Sequence, residues 1–143
     1  MPSFEELLEE SQRRFQELEA GDKPWIRVGT AVCGEAAGAF QVIDALKAEL
    51  DKRGIVANVS AVGCIGLCYA ETLVDILKPG KPRVFYKNIT PEMVPDLVES
   101  YLVGDNHRPD LALAYSGEGS LDGIPRLEDL PMWSHQVRIA LRN

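Results

Sequence analysis

The stretch Trp25-Ile26-Arg27-Val28-Gly29-Thr30-Ala31-Val32 decides the fold class. Its β-branched and aromatic residues suit a pleated strand, and the pattern changes at once beyond it. Small residues run from Cys33 to Ala39, and Ala39, Val42, Ile43, Leu46 and Leu50 then recur at helical spacing as far as about Arg53. Gly54 supplies the left-handed residue that stops such a helix. A second run of strand formers follows, from Ile55 to Val62. Strand, helix, strand in this order predicts a parallel pair joined by a right-handed crossover, and hence an α/β domain.

Downstream, Glu71 to Leu77 reads as a third strand and Arg83 to Tyr86 as a fourth, joined by the turn Pro79-Gly80-Lys81-Pro82 into an antiparallel hairpin. Thr90 and Pro91 have N-cap and first-turn chemistry for a last helix carrying Val94, Leu97, Val98, Tyr101 and Leu102. Pro95 within it predicts a bend or a delayed start, and Gly104 closes it. The expected architecture is a thioredoxin-like βαβ–ββα half-sandwich with a four-stranded mixed sheet. Trp25, Phe40, Phe85 and Tyr86 are expected in its core, and Gly38 and Ala39 where helix and sheet pack closely.

Upstream, Ser3 and Glu6 have capping-box spacing, and Phe4, Leu7, Leu8, Phe15 and Leu18 trace one face of a helix that ends at Gly21-Asp22-Lys23-Pro24. Beyond Asp105, residues 110–131 are rich in Gly, Pro, Ser and Asp without a sustained period, so the segment reads as an irregular linker. A final helix is expected from Trp133 to Asn143, with no stop signal. The chain thus divides into a helical extension (1–21), an α/β domain (22–104) and a linker with the start of another domain (105–143).

Among 143 residues, 15 basic against 22 acidic side chains leave a net charge of −7. Phosphate recognition needs a basic patch, and none is present, so nucleic acid is excluded as a partner. The acidic first ten residues lack the basic and apolar regions of a signal peptide. No apolar run approaches the roughly 20 residues that span a bilayer. The expected location is cytoplasmic, or the cytoplasmic side of a membrane complex without insertion into it.

Three cysteines, Cys33, Cys64 and Cys68, carry the chemistry. An odd count without an export signal does not describe a disulfide framework. Cys64-x3-Cys68 lies in a turn punctuated by Gly63 and Gly66, whose backbone N–H groups can aim at sulfur. Cys33 is placed at the end of the first strand, and the loops after two neighbouring parallel strands open on the same side. The three thiols are therefore expected to converge at one sheet edge. An iron–sulfur cluster normally takes four cysteines, and a zinc site also wants a fourth ligand. His107 and His135 lie in or beyond the linker and read as surface residues. From the residues alone, a metal cluster, a cluster-free docking scaffold, a reversible Cys64–Cys68 disulfide and a zinc site all stay open.

The runs Val32-Cys33-Gly34-Glu35-Ala36-Ala37-Gly38-Ala39 and Val62-Gly63-Cys64-Ile65-Gly66-Leu67-Cys68-Tyr69-Ala70-Glu71 resemble the thioredoxin-like [2Fe–2S] ferredoxin domain at the head of NADH dehydrogenase flavoprotein subunits. That family includes NAD-linked and electron-bifurcating hydrogenases and formate dehydrogenases. The segment Gly123-Ile124-Pro125 through Leu130-Pro131 to Asn143 resembles the approach to their flavin domain. The resemblance implies electron transfer through a [2Fe–2S] cluster on Cys33, Cys64 and Cys68. It implies further subunits and a covalently linked flavin- and NAD-binding part, where FMN, NAD and a [4Fe–4S] cluster would reside. No catalytic residue is implied within this chain. The family's remaining cysteine would fall near Val28 or Gly29, where there is none, and Thr72 stands where relatives often have proline.

Overall fold

The computed structural model describes residues 1–137. Strands β1 (Trp25–Gly29), β2 (Asn58–Val62), β3 (Val74–Leu77), β4 (Arg83–Tyr86) and β5 (Ala112–Ser116) form one sheet in the order β2-β1-β3-β4-β5. β1 and β2 are parallel and every other pair is antiparallel. The mixed thioredoxin-like arrangement is as expected, but the sheet has five strands rather than four. The additional strand comes from the segment read as linker: Ala112–Ser116 pairs along the β4 edge, with a bulge between Phe85 and Tyr86.

Alternation along the strands turns Ile26, Val28, Val74, Ile76, Val84 and Tyr86 to one face. There they meet Val42 and Leu46 of α3 (Ala39–Arg53) and Val94, Leu97, Val98 and Tyr101 of the last helical segment. Burying each such side chain contributes on the order of 1.5–3 kcal/mol, which makes this layer the principal core. Phe40 is the exception to the expected core set, since it faces solvent from α3. Gly54 ends α3 at φ 66°, with its N–H returned to the Leu50 and Asp51 carbonyls.

The last helical segment enters through a 3-10 turn (Pro91–Met93), becomes α4 (Val94–Leu97) and continues in π-helical turns (Val98–Val103). Pro95 sits in the first turn of α4, where no N–H is needed for the helix. The helix thus starts late, after the 3-10 turn. Lys78 fastens the far end of this segment: its ammonium donates to the Tyr101 carbonyl (2.9 Å) and to Asp105 (2.8 Å), and lies over the Tyr101 ring. The Lys78 and Lys81 ammonium groups hold the Asp105 carboxyl down at about 2. A depressed carboxyl stabilises the fold above its ordinary pKa, and that contribution is lost only as pH falls through about 2. Lys78→Met keeps the apolar stem but leaves the helix-end carbonyl without its donor. It should lower stability by about 1–2 kcal/mol in urea titration; an unchanged midpoint would refute this.

The opposite face is divided. One end is apolar: Leu67, Leu73, Phe85, Leu113 and Leu127 form a second cluster, with Leu130 and Trp133 packed against it. The other end is ionic. Asp75 accepts from Arg83 (2.5 Å) and from Arg27 (2.9 and 3.1 Å), and both guanidinium groups lie over the Trp25 ring. Helix α1 (Phe4–Glu19) has the expected capping box but buries none of its residues. It is held to this end by Glu19 on Arg83 (2.9 Å) and by Phe15 edge-on to Trp25.

After a 3-10 turn at Leu127–Asp129, α5 covers only Pro131–Ser134. The helix expected from Trp133 onward is therefore interrupted at His135, and its part beyond residue 137 lies outside the described residues. No helix among the described residues is long and apolar enough to cross a membrane.

Candidate metal centre

The first strand ends at Gly29, earlier than its β-forming residues suggest, and the chain turns into a short helix, α2 (Val32–Ala36). Cys33 thus lies on a helix rather than at the strand end. Gly34 makes the turn possible, because a Cβ there would stand 2.1 Å from the Gly29 carbonyl oxygen. The chain leaves parallel β2 at the same edge. Cys64 falls in the loop that follows, and Cys68 opens a 3-10 turn, Cys68–Ala70. Thr72, joined to Glu71 by a cis peptide bond, donates its hydroxyl to the Ala37 carbonyl and ties this loop to the end of α2.

The three thiols converge. Their Sγ–Sγ distances are 3.5 Å (Cys33–Cys68), 3.6 Å (Cys64–Cys68) and 3.9 Å (Cys33–Cys64). All are far above the roughly 2.05 Å of a disulfide. They match the edge of about 3.8 Å that a tetrahedral metal with thiolate bonds of about 2.3 Å would impose. Cys33 and Cys64 are half-buried and Cys68 is exposed. The Gly66 N–H donates to Cys64 Sγ at 3.1 Å, from a backbone at φ 90° that only glycine adopts readily. Hydrogen bonding to Cys33 and then Cys64 pushes the Cys68 thiol up to about 11, because neighbouring sulfurs resist sharing negative charge. A bound cation reverses that opposition.

A two-iron cluster distributes four ligands in two pairs. Any edge of the thiol triangle suits two thiolates on one iron; ligands on different irons stand farther apart than this, so the remaining thiol would have to swing outward to reach the second iron, beside a ligand that is not a cysteine. As placed, the residues fit two of the group's four positions, and a third once one thiol moves outward. Neither histidine joins them: His107 lies against the Asp122 carbonyl and His135 against that of Pro131.

Beside the thiols opens a cavity of ≈ 430 Å³, bordered by Arg27, Gly29, Cys64, Glu71, Asp75 and Trp133. The half-buried Glu71 carboxylate is the group that sequence reasoning did not single out. Both its oxygens stand 3.0 Å from where a Cβ on Gly29 would be, and Oε2 accepts the Leu73 N–H at 2.8 Å. Its position depends on β1 and β3 being neighbours, which no local pattern at Glu71 announces.

The sheet order and flanking helices define a domain of the thioredoxin-like class, with three thiols gathered at the edge of its parallel strands. The structure is similar to that of a thioredoxin-like [2Fe–2S] ferredoxin from Aquifex aeolicus, with a TM-score of 0.57 at 17% identity over 70% of this chain and 98% of that one. A wild-type crystal structure of the thioredoxin-like [2Fe–2S] ferredoxin from Aquifex aeolicus gives 0.55 at 18% identity over 65% and 98%. At such identity the likeness concerns the fold. The sequence is 31% identical, over 103 residues, to the NADP-reducing hydrogenase subunit HndB of Solidesulfovibrio fructosivorans, covering 71% of this chain and 82% of that relative. The chain belongs to the family of that hydrogenase subunit. No family model matches it.

Proposed function

We propose that the chain is an electron-transfer module of a hydrogenase-type, nicotinamide-linked assembly, and that Cys33, Cys64 and Cys68 hold a [2Fe–2S] cluster. The observation that carries the reading is the thiol triangle at the edge of the parallel strands, with a backbone N–H aimed at one of its sulfurs. The membership of the relative in a hydrogenase supports it.

When bound, the cluster supplies one-electron transfer. The protein's part is to hold and tune it. Gly66 places an N–H on Cys64 Sγ, which favours added negative charge there. Exposed Cys68 brings the site to the surface, where an electron donor or acceptor on another subunit can approach. The flavin- and nicotinamide-binding part, which the sequence resemblance joins to this chain, is proposed to act beside the module in the assembly.

Anaerobic reconstitution of the full chain with ferrous iron and sulfide tests the reading. About two iron and two sulfide per chain, with a charge-transfer spectrum in the visible, are expected. Cys64→Ser should lose most of both. The near-equal triangle edges also suit a single tetrahedral ion. Zinc bound in place of iron and without sulfide would replace the cluster reading, and no metal under any condition would leave only a docking scaffold.

A further inference from the structure

We propose that, in the absence of sulfide, the same three thiols bind one divalent ion of the zinc class, as a three-thiolate site whose fourth position is left to water. This goes beyond the cluster reading and does not depend on it. Thiolates on one tetrahedral ion, with bonds of about 2.3 Å, stand about 3.8 Å from one another. Here the three spacings, 3.5, 3.6 and 3.9 Å, all lie near that edge. None of the three sulfurs stands apart, as a ligand to a second metal would. The triad therefore matches one ion that takes all of its thiols at once, and soft thiolates favour zinc-like ions over magnesium or calcium.

The backbone gathers the triad by its own contacts. Cys33 lies on α2, which Gly34 sets against the Gly29 carbonyl and the Thr72 hydroxyl ties at its far end, on the Ala37 carbonyl. Leu67 and Ala70 flank the Cys68–Tyr69 pair and are buried, and the Asn88 N–H donates to the Ala70 carbonyl at 2.9 Å. Ligands held in this way have little freedom left to lose on binding. The three thiols release their protons to solvent as they bind, so a divalent ion leaves the centre with a single negative charge. The Gly66 N–H, 3.1 Å from Cys64 Sγ, meets that charge. Cys68 is exposed, so the ion enters and water reaches its fourth position from that side, as in zinc sites that keep an open position.

Cobalt(II) alone, added anaerobically to the reduced full chain, is the probe, with zinc as its competitor. About one cobalt per chain is expected, with thiolate-to-metal charge transfer in the near ultraviolet and the visible bands of a four-coordinate ion, and zinc should displace it. Cys33→Ser, Cys64→Ser and Cys68→Ser should each weaken binding by at least about 10- to 100-fold, since even groups that only support ligands cost this much. X-ray absorption of the zinc-loaded native chain reads the site without any variant: three sulfur neighbours at about 2.3 Å and one lighter atom are expected. Native affinity and spectrum in any one serine variant, a sulfur count other than three, or no uptake of cobalt would each overturn the proposal. The two readings fail separately. A cluster that assembles from iron and sulfide in a chain that takes no cobalt sinks this inference alone, and cobalt uptake without cluster assembly sinks the cluster reading alone.

Discussion

A chain ending at Gly104 should not fold. The boundary is where the sequence reads as passing from domain to linker, yet the structure places essential core beyond it. Tyr115 and Ile124 belong to the principal core, and Leu113, Ala114 and Leu127 to the second cluster. Four of these are large apolar side chains, worth on the order of 1.5–3 kcal/mol each when buried. Their loss sums to on the order of 6–12 kcal/mol, comparable with the whole stability of a typical domain. It also strips the hydrogen-bonded partner from the β4 edge, leaving an unpaired strand prone to association. The fragment 1–104 is expected to aggregate or to melt without a cooperative transition, whereas 1–137 should melt cooperatively. Amide exchange in the full chain should protect the β5 amides and Tyr115 N–H, which bonds the Pro125 carbonyl. A cooperative, native-like melt of 1–104 would show that β5 is an accessory.

Asp75→Ala should cost about 3–5 kcal/mol, the usual result of removing one member of a buried ion pair. The Asp75 and Arg83 side chains are each only 7% exposed, and Asp75 also takes the Arg27 guanidinium. Without it, Arg83 keeps one ion-pair partner among the described residues, Glu19, which is 41% exposed at the end of α1. The penalty comes less from the missing attraction than from the buried guanidinium charge left without its carboxylate. Replacing both partners, as Asp75→Leu with Arg83→Met, should therefore recover most of the stability. Urea titration of the two variants checks this; equal destabilisation of the single and double variants would contradict it. The network lies at the ionic end of the sheet, so the double variant should also weaken the seating of α1.

These two results separate what was readable in the chain from what was not. Period-two and period-3.6 patterns between Trp25 and Tyr86 specify strands and helix without reference to anything distant. Gly54, Pro91 and the Ser3–Glu6 pair mark helix ends by local hydrogen-bond chemistry. Even the meeting of Cys33 with Cys64 and Cys68 was legible, because parallel neighbours must open their loops on one side. Other features depend on residues far apart in sequence coming together. Ala112–Ser116 is short, holds two alanines and has little strand signature of its own; it becomes a strand because β4 offers an unpaired edge and Phe85 an apolar surface. Cys33 lies on α2 instead of β1 because Gly34 lets the backbone fold against Gly29. Glu71 comes to the end of β1 because β3 pairs with β1, and Asp75 finds two guanidinium groups because Arg27 and Arg83 lie on the strands flanking it. Local residue patterns determined the order of the first four strands and the meeting of the three thiols. Strand pairing across the sheet decided the fifth strand, the buried charges and the carboxylate beside the site, since each depends on neighbours that the chain meets only after it has folded.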